Sequence, residues 1–483
     1  MPTEKPNILW ICTDQQRYDT IRALGNDTIR TPNLDRLVRE GVAFLRAYAQ
    51  CPICTPSRAS FLTGRYPSTV HVNRNGDAWF PESPGLITRT LRDIGYDTGL
   101  AGKLHLTAAH GRVEQFPDDQ YGYRMIKWSH HPHPEDFWPT AAHDYQQWLV
   151  DQGVDWDAAY NADLDSEAGT AWHLPGYCRP GIAAEYHQTT WCAEEAIAFM
   201  TAEREGPWLI SVNPFDPHPP LDPPLSYLER MDVDAMPVPL FQESELESQL
   251  AFSGVDFQTE TPVSPYSYDA RRMVAAYYAE IELIDDQVGR MLDTLEASGQ
   301  RTNTIVIFTS DHGETLGDHG LLWKGCRFYE SLVHVPLILS WPGHFEAGLQ
   351  SNALVELTDI VPTLLDALHL PISPHVQGCS LLPVLTGSAD PDRHREFVRS
   401  EYHDALDHRF ASHATMLRND RYKLAVYHGQ DTGELYDLEE DPEEFHNLWD
   451  DPESQALKHQ LIKQLFDAVM LAVDEGVARA GRY

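Results

Sequence analysis

Two hydrophobic rhythms alternate along the chain: short, nearly unbroken apolar runs, and longer segments whose apolar positions recur every three to four residues. The stretch "NILWICTD" is of the first kind and stops at Asp14, as expected for a strand buried on both faces. "TPNLDRLVREG" is of the second kind, with Thr31 as cap, Pro32 in the first turn and Gly41 at the end. Farther along, "ITRTLRDIG" predicts a helix before the strand "YDTGLAG", which delivers Lys103 and His105. "PWLISVN" predicts a strand running into the proline-rich "PFDPHPPLDPP". Over residues 271–299 the side chains of Val274, Tyr277, Ile281, Ile284, Val288, Met291 and Leu295 share one helical face. "TIVIFTSDHGE" is another apolar strand, ending at Asp311, and "VPLILSWPG" supplies one more.

This rhythm predicts an α/β fold with a large central, mostly parallel sheet flanked by helices. Reactive groups of open α/β sheets gather beyond the carboxyl ends of the strands. Asp14, Lys103, His218 and Asp311 each fall just past a predicted strand. The stretches 106–190 and 220–270 are rich in Pro, His, Trp and Asp with poor periodicity, and read as insertions around the mouth of a site. After "GCSLLPVLTGSADPDRHRE" come short strands, a turn-rich stretch and a last helix. The expected division is a main α/β domain over 1–385 and a smaller C-terminal α+β domain over 386–483.

Charge narrows the function classes. Against 73 acidic residues the chain has 36 Lys and Arg, a net charge of −37 over 483 residues. That balance argues against nonspecific binding to nucleic acid or anionic membranes, and an anionic substrate would need a local positive pocket. The N-terminus lacks a long apolar leader and no apolar run is long enough to span a bilayer. Seven scattered cysteines do not form a disulfide framework. The expected location is cytoplasmic.

Cys54 stands apart. Thr55-Pro56 reads as a helix start and "SRASFLTG" as a short helix ending at Gly64, so Cys54 would sit at a helix N-terminus. Free amides there favour an anion, and Arg58 one turn on adds a fixed charge able to make two hydrogen bonds to an oxyanion of sulfate or phosphate. Three residues separate Cys54 from Arg58, not the five of the cysteine-phosphatase loop. Taken alone, a cysteine in this place reads sooner as a small buried residue packing a helix end, and the surrounding run has to decide. Asp14, Asp311 and His312 can converge beyond adjacent strands, a set that suits a hard divalent cation.

The run Cys54-Thr55-Pro56-Ser57-Arg58 with Leu62-Thr63-Gly64 closely resembles the signature of the type I sulfatases of the alkaline phosphatase superfamily. The resemblance extends nearly end to end, from Asp14 to "ELYDLEEDPEEFHNL". It implies that Cys54 is oxidised to formylglycine by a formylglycine-generating enzyme. The aldehyde hydrate offers two hydroxyls, one to attack sulfur and one whose deprotonation expels sulfate. It further implies that Asp14, Gln15, Cys54, Asp311 and His312 surround a divalent metal. Gln15 stands where many members have a second aspartate, and an amide oxygen suits calcium, with manganese or magnesium as alternatives.

By the same resemblance Lys103 binds a sulfate oxygen and His105 deprotonates the spare hydroxyl, with Leu104 where tryptophan is common. His218 then serves the leaving group, held between prolines, and Lys324 reaches the bridging oxygen. The histidines of "WSHHPHPEDFW", His130, His131 and His133, read as a solvated loop that lines the substrate mouth, and Glu330 as structural. The expected reaction is hydrolysis of a sulfate monoester, of a sulfated small molecule or oligosaccharide. One rival is a phosphonate or phosphate monoester hydrolase of the same superfamily; such relatives tend to have alanine at the place of Ser57 and to lack the Lys-x-His pair. Another is an inactive protein that binds sulfated glycans, against which the intact set of Arg58, Lys103, His105, His218 and Lys324 speaks.

Overall fold

A computed structural model describes residues 5–81, 85–110, 113–131, 143–164 and 166–473. Its main sheet contains, in chain order, β1 (Asn7–Thr13), β2 (Val42–Tyr48), β3 (Asp97–Gly102), β4 (Met125–Trp128), β5 (Trp208–Asn213), β6 (Thr304–Ser310), β7 (His334–Val335), β8 (Leu337–Ser340) and β9 (Leu349–Glu356). Across the sheet the order is β9-β2-β8-β6-β1-β5-β3-β4, with β7 paired to β2. β4, β3, β5, β1 and β6 are mutually parallel, while β8 runs antiparallel between β6 and β2. The expected mostly parallel α/β sheet is therefore present.

Both faces of β1 are covered, which is why its sequence does not alternate. Ile8, Trp10 and Cys12 belong to one core, with Phe61 and Leu62 of helix α2 (Cys54–Thr63). Leu9 and Ile11 belong to the opposite core, with α1 (Pro32–Glu40), α3 (Gln188–Thr201) and α4 (Ala270–Ala297). Each such large side chain contributes about 2 kcal/mol by leaving water. The predicted face of α4 is buried throughout, from Val274 to Leu295. Burial on α4 goes further than one face, because Met273, Ala275, Ala279 and Leu283 pack beneath Leu221, Tyr227 and Leu228.

The stretch 106–190 is not wholly an insertion. Residues 125–128 add edge strand β4 to the main sheet, and α3 begins at Gln188. Four residues of "MIKW" are too few to show a period, so only pairing with β3 reveals the strand. Toward the C-terminus, β10 (Phe397–His403), β11 (His413–Asn419), β12 (Tyr422–Tyr427) and β13 (Gly433–Asp437) form a sequential antiparallel sheet. Helix α5 (Gln455–Leu471) lays Leu461 and Leu465 against Leu417, Leu424 and Leu435 of that sheet. No helix among the described residues is long and apolar enough to cross a membrane.

Register sets the site. β1 and β6 run side by side to their ends, with Thr13 opposite Ser310, so Asp14 and Asp311 leave the sheet as neighbours. β3 and β5 match Gly102 with Asn213. Gly102 has φ +110°, and a Cβ there would lie 2.0 Å from the Asn213 carbonyl oxygen. Only glycine lets the chain turn so close to its neighbour and aim Lys103 inward.

Candidate active site

Cys54 opens α2, which ends in a left-handed Gly64 (φ 69°) as its sequence predicts. Every residue of this helix is buried, so its N-terminus and the Cys54 side chain face the ends of β1 and β6, not solvent. Ser57 donates from Oγ to the Asp311 carbonyl at 2.5 Å, and Asn75 Oδ1 accepts from the Thr55 amide at 3.0 Å. These bonds fix the start of the helix.

Around Cys54 Sγ lie Lys324 Nζ at 3.0 Å, His312 Nε2 at 3.2 Å, Lys103 Nζ at 3.7 Å and Asp14 Oδ1 at 3.7 Å. Burial and Asp14 push the thiol up, but Lys103, Lys324 and His312 together pull harder and hold it well below its usual value. Asp14 is itself fully buried. Burial pushes its carboxyl up, and Lys103 (2.5 Å), Arg58 (3.0 Å), His218 and Lys324 outweigh that and keep it well below the usual range. Lys324 is raised on balance: burial disfavours its charge, and Cys54 and Asp14 favour it. The site is a buried alternation of fixed charges in which position 54 is the centre.

Ligand atoms of Asp14, Cys54, Asp311 and His312 all lie within 4.8 Å of one another, the one such cluster among the described residues. The donor set fits a divalent cation. His312 Nδ1 is held by the Gly313 carbonyl at 2.8 Å, which fixes the ring and turns Nε2 toward the cluster. Two carboxylates supply the hard oxygens. Gln15 belongs to the same wall, in a left-handed conformation (φ 69°), with its amide donating to Asp311 Oδ1 at 3.0 Å. Its side-chain oxygen accepts from Lys324 at 2.7 Å and its Nε2 donates to Glu314, an arrangement that leaves the oxygen beside the cation donors but shared with Lys324.

Arg58 differs from its expected role. Its Nε donates to Asp311 (2.8 Å), Nη1 to the Lys103 carbonyl (3.0 Å) and Nη2 to Asp14 (3.0 Å). The fork that was expected to grip an oxyanion is closed by protein acceptors and is 1 % exposed, so Arg58 holds the two carboxylates in place. The physical reason is helical: one turn after Cys54, its side chain points under the cluster and not over it.

His105 is buried and His218 half-buried. His105 has φ 55°, its amide is fixed by Glu114 at 3.0 Å, and its Nδ1 has no hydrogen-bond partner. The His218 Nδ1 is 2.5 Å from the Pro219 carbonyl, which can only accept, so Nδ1 carries the proton and Nε2 remains for chemistry. Burial first, then Lys324, lowers its pKa well below the usual value, with Asp14 opposing.

His130 is buried and His131 half-buried, packed among other rings instead of standing on a freely solvated loop. His130 packs edge-on to His105 (4.8 Å between ring centres) and His131 edge-on to His218 (5.2 Å), with Phe215 between them and Lys103. Their rings fill space beside the cluster because "WSHH" follows β4, the strand that escaped prediction. His133 lies outside the described residues. Glu330 is structural, bonded to Tyr48 and Lys423. Sequence reading missed Glu114, Glu314 and Asn213, whose bonds to the backbones or side chains of His105, Gln15 and Lys103 orient the cluster. No local pattern marks such supporting groups.

The chain is similar to known proteins over most of its length. The family model described as Sulfatase matches residues 6–370, and that of the N-sulphoglucosamine sulphohydrolase C-terminal region matches 317–470. An arylsulfatase of Clostridium perfringens is 30 % identical over 95 % of this chain and 94 % of its own. A choline-sulfatase of Rhizobium meliloti is 30 % identical over 94 % of this chain and 84 % of its own. Among solved structures, the phosphonate monoester hydrolase of Agrobacterium radiobacter superposes with a TM-score of 0.82 at 26 % identity, covering 98 % of this chain and 97 % of that one.

Proposed function

The chain belongs to the sulfatase family, and from that premise we propose a hydrolase of sulfate monoesters whose nucleophile is made from Cys54. The observation that carries this reading is the position of Cys54 Sγ, between the Nζ atoms of Lys103 and Lys324 and against His312 and Asp14. Conversion of Cys54 to formylglycine, by a formylglycine-generating enzyme, would supply a hydrated aldehyde as the attacking group at that point. Asp14, Asp311 and His312, with Gln15 beside them, would hold a divalent cation, calcium first, whose chemistry is to polarise a sulfate oxygen and acidify the nucleophile.

The chain's own groups do the rest. Lys103 and Lys324 offset the charge of the incoming sulfate, in a buried site where fixed charges act strongly. Arg58 keeps Asp14 and Asp311 aligned. His105 would take the proton of the spare hydroxyl. His218 turns Nε2 outward; an entering anion counters the pull of Lys324 and Lys103 on that ring and lets it carry a proton to the departing alcohol. Sulfated carbohydrate is the proposed substrate class, since aromatic and histidine side chains crowd the mouth.

A second reading, phosphonate monoester hydrolysis, is supported by the likeness to the Agrobacterium radiobacter enzyme. Parallel kinetics on 4-nitrophenyl sulfate and 4-nitrophenyl phenylphosphonate decide between them: kcat/KM is expected to favour the sulfate, and a clear preference for the phosphonate replaces the first reading by the second.

A further inference from the structure

Beside the catalytic cluster the structure has a cavity of about 440 Å³, a size that suits a small ligand. Its walls come from three places: Tyr177 and Arg179 from one segment, Pro219 and Pro220 from the loop of His218, and Trp323. Two of these adjoin reacting groups directly. The Pro219 carbonyl holds His218 Nδ1, and Trp323 precedes Lys324, whose Nζ is 3.0 Å from Cys54 Sγ. The cavity therefore adjoins the His218 loop and the Trp323-Lys324 step.

The walls are chemically specific. Trp323 is 44 % exposed and held in a left-handed conformation (φ 66°), its carbonyl pinned by the Thr315 amide at 3.1 Å and hydroxyl at 3.0 Å. Backbone strain of this kind persists where surroundings enforce it. Tyr177 is fixed by stacking on Tyr268, ring centres 4.6 Å apart and 10° from parallel. Arg179 makes no ion pair among the described residues; Nη1 reaches Asn161 at 3.4 Å, and Nη2 is shut from solvent with no hydrogen-bond partner. Asp222, which feels the Arg179 charge, is buried, lies outside the lining, and is pushed by burial up to about 7. Among the described residues, no acid lines the cavity.

We infer that this cavity receives the alcohol portion of the ester and that Arg179 selects a ring alcohol bearing a second negative group, a carboxylate or a further sulfate. This rests on the sulfate-ester reading above. Trp323 and Tyr177 offer flat faces to the ring, and Arg179 brings a fixed positive charge to the wall, to which an anion is drawn. A quaternary ammonium alcohol is disfavoured, because it would meet the Arg179 charge with no acid among the described lining residues.

The test is a ratio. The 2-, 3- and 4-monosulfates of methyl glucuronide and of methyl glucoside form matched pairs that differ in the carboxylate; disulfates of methyl glucoside form the second arm, and choline O-sulfate and 4-nitrophenyl sulfate complete the set. At whichever position is accepted, kcat/KM is expected to favour the charged member by about tenfold or more. Arg179→Gln is expected to bring that ratio toward one, and Arg179→Lys to restore part of it, which a mere loss of folding would not do. The faster of the two arms identifies the anion as carboxylate or sulfate. Hydrolysis of 4-nitrophenyl sulfate with a ratio near one, a ratio that Arg179→Gln leaves unchanged, refusal of every sugar sulfate, or preference for choline O-sulfate each overturns the inference alone. Failure on every sulfate ester removes the sulfate-ester reading, and this inference with it.

Discussion

The Nζ of Lys324 lies 3.0 Å from the Sγ of Cys54, across 270 residues of chain. The contact joins the first turn of α2 to the loop beyond β6, and both partners are buried. Lys324→Met keeps the length of the side chain and removes its charge. Turnover of 4-nitrophenyl sulfate is expected to fall by about 100-fold or more, as when one preorganised donor to a developing charge is removed; steady-state kinetics within threefold of wild type would take Lys324 out of the site.

Cys54→Ala removes the reacting atom and little volume. Turnover should vanish while the thermal unfolding midpoint stays close to wild type, and the tryptic peptide of active wild-type protein should be roughly 18 Da lighter than the unmodified sequence. An active enzyme carrying an unmodified thiol at position 54 would end the formylglycine mechanism.

Arg58 bridges Asp14 and Asp311 with separate nitrogens. Lysine keeps the charge and loses the bridge. Arg58→Lys is therefore expected to lower metal retention about 10- to 100-fold, as removal of a group that orients ligands does, with metal content read by mass spectrometry after dialysis. Full metal content together with full activity would show that the bridge is dispensable.

For His218, the leaving group is the probe. His218→Ala should lower kcat/KM on a sugar sulfate at least tenfold more than on 4-nitrophenyl sulfate, whose phenolate leaves without a proton. Equal losses on the two substrates would contradict an acid role.

Asp222 predicts a pH dependence of stability. Burial is the main cause that lifts its carboxyl to about 7, against an ordinary value of 3.8, with His187 opposing and Asp216 adding. The folded state thus holds a proton that the unfolded state has lost, so this contribution is complete below about pH 4 and disappears as pH rises through about 7. Asp222→Asn should flatten the fall in unfolding free energy between about pH 5 and 7 by on the order of 1 kcal/mol per pH unit. Urea titrations at four pH values give the slope, and a slope identical to wild type would show that Asp222 titrates normally in the fold.

The sequence by itself determined the local elements and the chemistry-bearing types. Apolar runs without alternation gave β1 and β6, since strands covered on both faces need apolar residues at every position. The Cys54–Gly64 run marked its helix through Pro56 and a terminal glycine. Asp14, Lys103 and Asp311 were legible because strands end where reactive groups begin.

What tertiary structure decided is where those side chains point and what already occupies them. Arg58 was readable as a cation beside an anion site, but whether its fork faces substrate or carboxylates depends on strand register 250 residues away, which no local pattern encodes. The same holds for β4, too short to carry a period yet paired with β3, and for His130 and His131, drawn inward because β4 ends beside the site. Long-range pairing fixed these outcomes, since a side chain's partners are set by which strands meet and in what register, and that is a property of the whole packed chain.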